Sequence, residues 1–474
     1  MLLVHPAHEL LRQLPLLVGA VVLGSTTGNP LWAVAALALT ALLGAARWFT
    51  TSYRIDGDLD TGQVQLRSGV LHRKVLSLPR NRIRSVQTEA RPLHRLLGLT
   101  VLRVGTGHEA KGNSAFELDA VEAEQVPRLR SILLAETPPA GRPAAALGPV
   151  LARWQPSWLR YAPLNLSGLL TIAAAAVSLY QMGFVVALQH SRLGQSGVDT
   201  AERAGATVTA TVVAVVLVAA SVVLSVGRSL VVYANLVLSR RGSVVHLRHG
   251  LLRLREHTYD MNRLRGGTLK QPLLVRALGG ARLDAMMTGV HGVGESSVLL
   301  PACPVSTARA VLTELVGEGW VVSGPLLGHG RRAARRRWTR ALALPAVLGT
   351  ALAVTATTRG APMWLWPAWV AATMCCVAVA ADRVGALGHR VDAHWLVSRA
   401  GSLERHRDCI ATAGIVGWTV RQSPIQRRAG LATLVAATAA GTKRYDVLDV
   451  PEEQAWSIAA TASPWVADSI WAIR

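Results

Sequence analysis

Cysteine is scarce. The chain has four in 474 residues, Cys303, Cys375, Cys376 and Cys409, too few for a disulfide-stapled scaffold. Charge is scarce as well: 16% of residues are charged and 51% are hydrophobic, which excludes a disordered polymer. Acidic residues are the rarest charged group, with 28 Asp and Glu against 50 Lys and Arg, for a net charge of +22. A basic soluble protein carries more charge and less apolar mass, so this composition points to a chain shared between a bilayer and a basic aqueous face. Catalytic signatures are missing too. There is no H-E-x-x-H, no nucleophile elbow and no convincing carboxylate pair. His246 and His249, and likewise His389 and His394, lack a Cys, Asp or Glu partner at ligand spacing. The stretch Gly107–Ser114 places its Lys before the Gly rather than after it, so it reads as a hairpin loop and not a phosphate loop. No catalytic residue, cofactor or metal site is therefore assigned, and an enzyme is not expected.

What is present is apolar sequence in pairs. Charge-free segments run over Leu14–Gly28 and Pro30–Ala46, Leu164–Gln189 and Ala204–Gly227, and Ala341–Thr358 and Ala361–Ala381. A helix needs about 20 mostly apolar residues to span a bilayer, which predicts six transmembrane helices in three hairpins. Lys and Arg gather on one side of these segments, as in the run Arg331, Arg332, Arg335, Arg336, Arg337 and Arg340. The inside-positive rule then places the long intervening regions and both termini in the cytoplasm. None of the six segments contains an ionisable residue, which argues against a pump or coupled transporter.

Each pair is followed by a block of different character, and ungapped alignment superposes the three blocks. Arg67, Arg248 and Arg399 coincide, followed by Gly69, Gly250 and Gly401, and by Leu71, Leu252 and Leu403. Further along, Arg95, Arg276 and Arg427 coincide, then Gly98, Gly279 and Gly430, then Leu102, Leu283 and Leu434. Six identities at fixed offsets define a repeat of one hairpin plus one domain. Alternation and turn residues predict strands at Gln63–Arg67, Ile83–Val86, Leu99–Val104 and Ala115–Asp119 in the first block. A helix closes each block: after Glu122 in the first, at Ser306–Val316 with Ser306 as a candidate N-cap in the second, and at Glu452–Ala462 in the third. Several strands followed by one helix predict a small α+β or barrel domain.

The threefold order, the R-x-G-x-L turn and the later turn resemble the YdbT-like bacterial PH-domain membrane proteins. That later turn is Arg91-Pro92-Leu93-His94-Arg95-Leu96-Leu97-Gly98-Leu99 in the first copy and Ser423-Pro424-Ile425-Gln426-Arg427-Arg428-Ala429-Gly430-Leu431 in the third. The resemblance covers nearly the whole chain. It implies a bent antiparallel sheet closed by a C-terminal helix in each block, a connection with the bacterial cell envelope, and a shorter single-domain relative as a partner. The resulting architecture is a membrane protein of α-helical hairpins alternating with three PH-like β-barrel or α+β domains. The hairpins occupy 1–46, 164–227 and 341–381. The domains occupy 47–137, 228–323 and 382–474, with linkers at 138–163 and 324–340.

Basic residues are the functional lead. Arg67–Arg103 holds nine Lys or Arg and one acidic residue, Glu89. Arg80, Arg82, Arg84 and Arg95 stand out in the first copy. Arg263, Arg265 and Arg276 follow in the second, and Arg427 and Arg428 in the third. Alternate arginines on a strand point the same way, and such a row holds phosphate or carboxylate groups. The other reading is a solvated face drawn to anionic headgroups by general electrostatics. Anionic membrane lipids are the expected partner. Nucleic acid is not, because no aromatics interleave with the arginines for base stacking. Cys409–Val420 in the third copy is nearly charge-free and contains Trp418, which indicates either a packed partner surface or a better-buried core. The expected role is a non-enzymatic binding or scaffold protein at the cytoplasmic face of a bacterial inner membrane. The alternative is a lipid or peptide exporter, or an accessory subunit of one.

Overall fold

The computed structural model describes residues 52–56, 63–68, 74–79, 85–90, 98–105, 116–122, 148–164, 205–288 and 298–468, with scattered positions between 124 and 181. The first expected hairpin and most of Leu164–Gln189 lie outside the described residues. Among the described residues three helices are long and apolar enough to cross a membrane: α1 (Ala206–Tyr233), and two more that form the third hairpin.

Each block builds two three-stranded antiparallel meanders. In the first block these are β1 (Ser52–Asp56), β2 (Gln63–Ser68) and β3 (Lys74–Pro79), then β4 (Ser85–Ala90), β5 (Leu99–Gly105) and β6 (Phe116–Glu122). A short β7 (Val150–Arg153) precedes the second block. That block forms β8 (Val237–Arg241), β9 (Val244–His249) and β10 (Leu254–Asp260), then β11 (Leu264–Pro272), β12 (Gly280–Met287) and β13 (Val298–Pro304). The third block forms β14 (Gly388–Val391), β15 (Trp395–Ala400) and β16 (Glu404–Ala411), then β17 (Ile415–Arg421), β18 (Leu431–Thr438) and β19 (Arg444–Pro451). The period-two pattern is plain in β9, where Val245, Leu247 and His249 are buried and the residues between them are not.

The meanders of successive blocks share sheets. The second meander of block one joins the first meander of block two through β4 and β10, giving the order β6-β5-β4-β10-β9-β8-β7. The second meander of block two joins the first of block three through β11 and β16, giving β13-β12-β11-β16-β15-β14. Both junctions are antiparallel and have the same register. Thr88 faces Glu256 in one and Leu269 faces Arg407 in the other, and these are equivalent places once Arg67, Arg248 and Arg399 are superposed. A buried hydrogen bond from Thr268 Oγ1 to Asp408 Oδ1 (2.8 Å) spans the second junction between residues paired in register. Burial pushes the Asp408 carboxyl pKa up. The chain divides into two compact units, one of 1–153 with 235–263 and one of 154–234 with 264–474, so each unit contains one shared sheet.

The closing helices have one pattern. In α2 (Val305–Val316), Ala308, Val311, Leu312 and Leu315 are buried, and Ala455, Ile458, Ala459 and Ala462 are buried at the same spacing further along the chain, in the helix Glu452–Ala462. Ser306 is not the N-cap. Pro304 holds that place and makes no side-chain cap, because the first helical N–H, of Val305, donates to Gly279 O at 3.0 Å. Glu452 N likewise donates to Gly430 O at 3.1 Å. Both acceptors belong to repeated glycines with left-handed backbone, as is Gly98 (φ 65°, 72° and 63° in chain order). The repeated leucines Leu102, Leu283 and Leu434 are fully buried.

The third hairpin consists of α3 (Gly330–Thr358) and α4 (Leu365–Ala386). The helices approach closely at Gly349, where a methyl group would stand 2.7 Å from the Trp369 ring. Trp369 Nε1 donates across the hairpin to Pro345 O at 2.9 Å. The third block is closed by α5 (Glu452–Ala462) over a core that includes Leu396, Ile410, Leu434, Val447 and Ile458.

Candidate functional site

Helix α3 begins at Gly330, so the arginine run forms its first turns, and the apolar stretch from Ala341 continues the same helix. Asp382 and Arg383 lie near the C-terminal end of helix α4, just past its apolar stretch. The root of the hairpin is fastened to the third block by two carboxylates. Asp449, 1% exposed and in left-handed backbone, accepts from Arg336 Nη1, from Arg337 Nη2 at 2.9 Å and from Gln426 Nε2 at 2.9 Å. Asp382 accepts from Arg276 at 2.9 Å and Arg405 at 2.6 Å. Arg399, the repeated arginine of the R-x-G-x-L turn, donates to the carbonyls of Ala386 (2.9 Å) and Gly385 (3.1 Å) and so caps α4. Ala333 of α3 is buried against Leu387, Ala400 and Leu431.

Two buried histidines complete the root. His329 Nδ1 lies 2.7 Å from Leu448 O, and His389 Nδ1 lies 2.8 Å from His329 Nε2. The carbonyl can only accept, so the proton sits on His329 Nδ1. His329 Nε2 then accepts from His389 Nδ1–H. Burial, followed by the neighbouring imidazole, pushes the His389 pKa down to about 4, and burial also lowers that of His329.

Beside this root lies a cavity of about 690 Å³, walled by both helix ends, the turn Gly401–Leu403 and the end of β17. Arg340, Arg383 and Arg421 line it, are exposed, and have no carboxylate partner among the described residues. Arg336 and Arg337 line it from the Asp449 cluster, and Arg444 does so while paired with Asp446. Three guanidinium groups without a carboxylate partner among the described residues, at the end of membrane-compatible helices, suit a phosphate or carboxylate, which each can hold by paired N–H donors.

A family model for the bacterial PH domain matches residues 11–137, 171–318 and 341–463. The chain belongs to the bacterial PH domain family. The three matches correspond to the three repeats, and those of the second and third run from an apolar segment to just beyond the closing helix. No curated protein and no solved structure matches the chain. It thus carries three PH-like domains together with membrane-compatible helices.

The arginines singled out in the sequence fall in different places in these PH-like domains. Arg80, Arg82, Arg84 and Arg95 lie outside the described residues. Arg263 ends a 3₁₀ turn and sits 3.5 Å from Asp260, whereas Arg265 is on β11, so the two do not form one strand row. The Arg265 stem lies over Gly414, where a methyl group would meet its Cδ at 2.9 Å. Arg276 is held by Asp382. Arg427 and Arg428 are exposed on a short helix, Pro424–Arg428. Sequence reasoning did not find Asp382, Asp449 and Arg383. The available signal was an Asp-Arg pair directly after the last apolar stretch.

Proposed function

We propose that this bacterial PH-domain protein is a non-enzymatic membrane scaffold whose third PH-like domain holds an anionic lipid headgroup. The observation that carries this reading is the cavity at the hairpin root, where Arg340, Arg383 and Arg421 face open space at the level where apolar helix gives way to polar domain. A phosphodiester headgroup would sit between the helix ends with its acyl chains along α3 and α4. Exposed Arg427 and Arg428 would add diffuse attraction to the same leaflet. The inside-positive pattern supports a cytoplasmic position for this face, at a bacterial inner membrane.

The test uses the full chain in nanodiscs of mixed neutral and anionic lipid, with bound lipid measured by native mass spectrometry. A basic residue near an anionic surface contributes about 1 kcal/mol, roughly fivefold in affinity. Replacing Arg340, Arg383 and Arg421 together by Gln should deplete retained anionic lipid by well over tenfold and flatten its salt dependence. Replacing Arg427 and Arg428, which lie outside the cavity wall, by Gln should lower it by at most about 25-fold and leave a larger remainder than the triple variant. Equal retention in the triple variant and the parent would remove the cavity from the function.

A further inference from the structure

The two inter-repeat junctions follow one rule, and the rule leaves two strands over. The first strand of a repeat's second meander pairs with the third strand of the next repeat's first meander: β4 with β10, then β11 with β16. In the third repeat β17, the equivalent of β4 and β11, pairs only with β18 among the described residues. In the first repeat β3, the equivalent of β10 and β16, pairs only with β2 among the described residues. These two strands are the two halves of the junction that the chain makes twice.

We propose that β17 of one copy pairs with β3 of a second copy, in the register of the internal junctions, so that copies join head to tail. Four observations support a second copy as the occupant. The established junctions supply the geometry, and their register is the same in both. The sequence of β17, IVGWTVR, has no Pro or Lys and Val416 is 69% exposed on it, and its irregularity between Ile415 and Gly417 has a counterpart between Leu264 and Gly267 in β11, which pairs with β16 nonetheless. Pro79, at the far end of β3, corresponds to Asp260 and Ala411, both beyond the last paired residues of their own junctions. Finally, the second repeat follows one membrane-compatible helix and the third follows a hairpin of two, so copies in one bilayer would share an orientation.

The shared register fixes the contacts. Val420 should face Val75, Thr419 should face Leu76, and Arg421 should face Lys74. The last pair opposes two cations where the first junction sets Glu89 against Arg255. The contact is therefore weaker than the internal junctions, and Lys74→Glu should strengthen it.

The experiment co-expresses two full-length copies with different tags. One carries Leu76→Cys and the other Thr419→Cys, and a parallel pair carries Val75→Cys and Val420→Cys. Adjacent antiparallel pairs alternate between wide and close Cα spacing, so one of the two sets falls where a disulfide closes. The expected result is an oxidant-dependent covalent dimer bearing both tags. It should be absent when either cysteine is expressed alone and reduced at least severalfold when Leu76→Cys is replaced by Ser77→Cys, one residue out of register. Lys74→Glu should raise its yield. The proposal is overturned if neither set cross-links while both copies remain folded by thermal unfolding. It also fails if the β17 cysteine is captured only by a different, single-repeat chain. As a check independent of the variants, the unmodified protein should increase in mass with its density in the bilayer, and a mass fixed at one copy would likewise overturn it.

Discussion

A methyl group placed on Gly401 would stand 2.0 Å from the carbonyl oxygen of Glu404, at a φ of 97°. Neither the clash nor the dihedral can be relieved by a side-chain rotation, so Gly401→Ala should destabilise the protein by roughly 2–4 kcal/mol. Gly242, also left-handed (φ 59°) but with open space around it, should cost only about 1 kcal/mol on the same substitution. Thermal unfolding of the purified full chain separates the two. The carboxylates divide in the same way. Asp449→Asn leaves Arg336 and Arg337 facing a neutral amide in a buried site and should cost about 3–5 kcal/mol. Asp446→Asn breaks a pair whose arginine is 51% exposed, and should change stability by no more than about 1 kcal/mol. At this scale the identities were legible and their reasons were not. Alignment singles out Gly430, but only the fold shows its carbonyl receiving the first N–H of α5. Asp449 was invisible because its arginine partners lie more than a hundred residues away in sequence.

Helices α3 and α4 show where hydropathy reads well and where it does not. The stretch Ala341–Thr358 lies within α3, which starts eleven residues earlier, at Gly330, whereas Ala361–Trp364 precede α4 and only the rest of the stretch to Ala381 lies within it. Hydropathy marks what the bilayer accepts, whereas helix continues for as long as the backbone permits, here through an arginine run. Short strands such as β1 and β3 give too few residues for alternation to register, and the strand expected at Ile83–Val86 is observed at Ser85–Ala90. The histidine pair that joins α3 to β14 gives this element a pH dependence. A histidine whose folded pKa is depressed binds fewer protons folded than unfolded, so its stabilisation is complete above about pH 6.5 and is lost as the pH falls towards about 4. The unfolding midpoint should therefore drop across that window, and the drop should be smaller in His389→Gln. Parallel curves for parent and variant would show that the pair does not titrate there.

Across the whole molecule the sequence repeat and the compact unit do not coincide. The repeat runs from hairpin to closing helix, while each compact unit is assembled around a sheet drawn from two repeats. The number of PH-like domains was legible in the threefold alignment. The sharing of sheets was not, because the residues that form it carry no special pattern: Glu404–Ala411 and Leu264–Pro272 look like ordinary strands. It follows that a domain excised along the sequence boundaries is incomplete. The third repeat expressed alone as residues 382–474 should bare the β16 edge and strip Asp408 of its bond from Thr268. It should aggregate on size-exclusion chromatography, whereas residues 264–474, which keep β11 with β16, should remain better behaved.

Sheet sharing also bears on how such a chain can grow. Duplicating one hairpin-plus-domain cassette within it would supply both halves of a new junction at once. The added second meander would meet the next repeat as its template did, and the added first meander would meet the one before. The count of junction strands left over would stay at two whether the chain held two cassettes, three or six, while each added shared sheet would bring two outer edges of its own, as β13 and β14 are here. Copy number is thus decoupled from the number of open junction strands, which are the edges that join one repeat to the next.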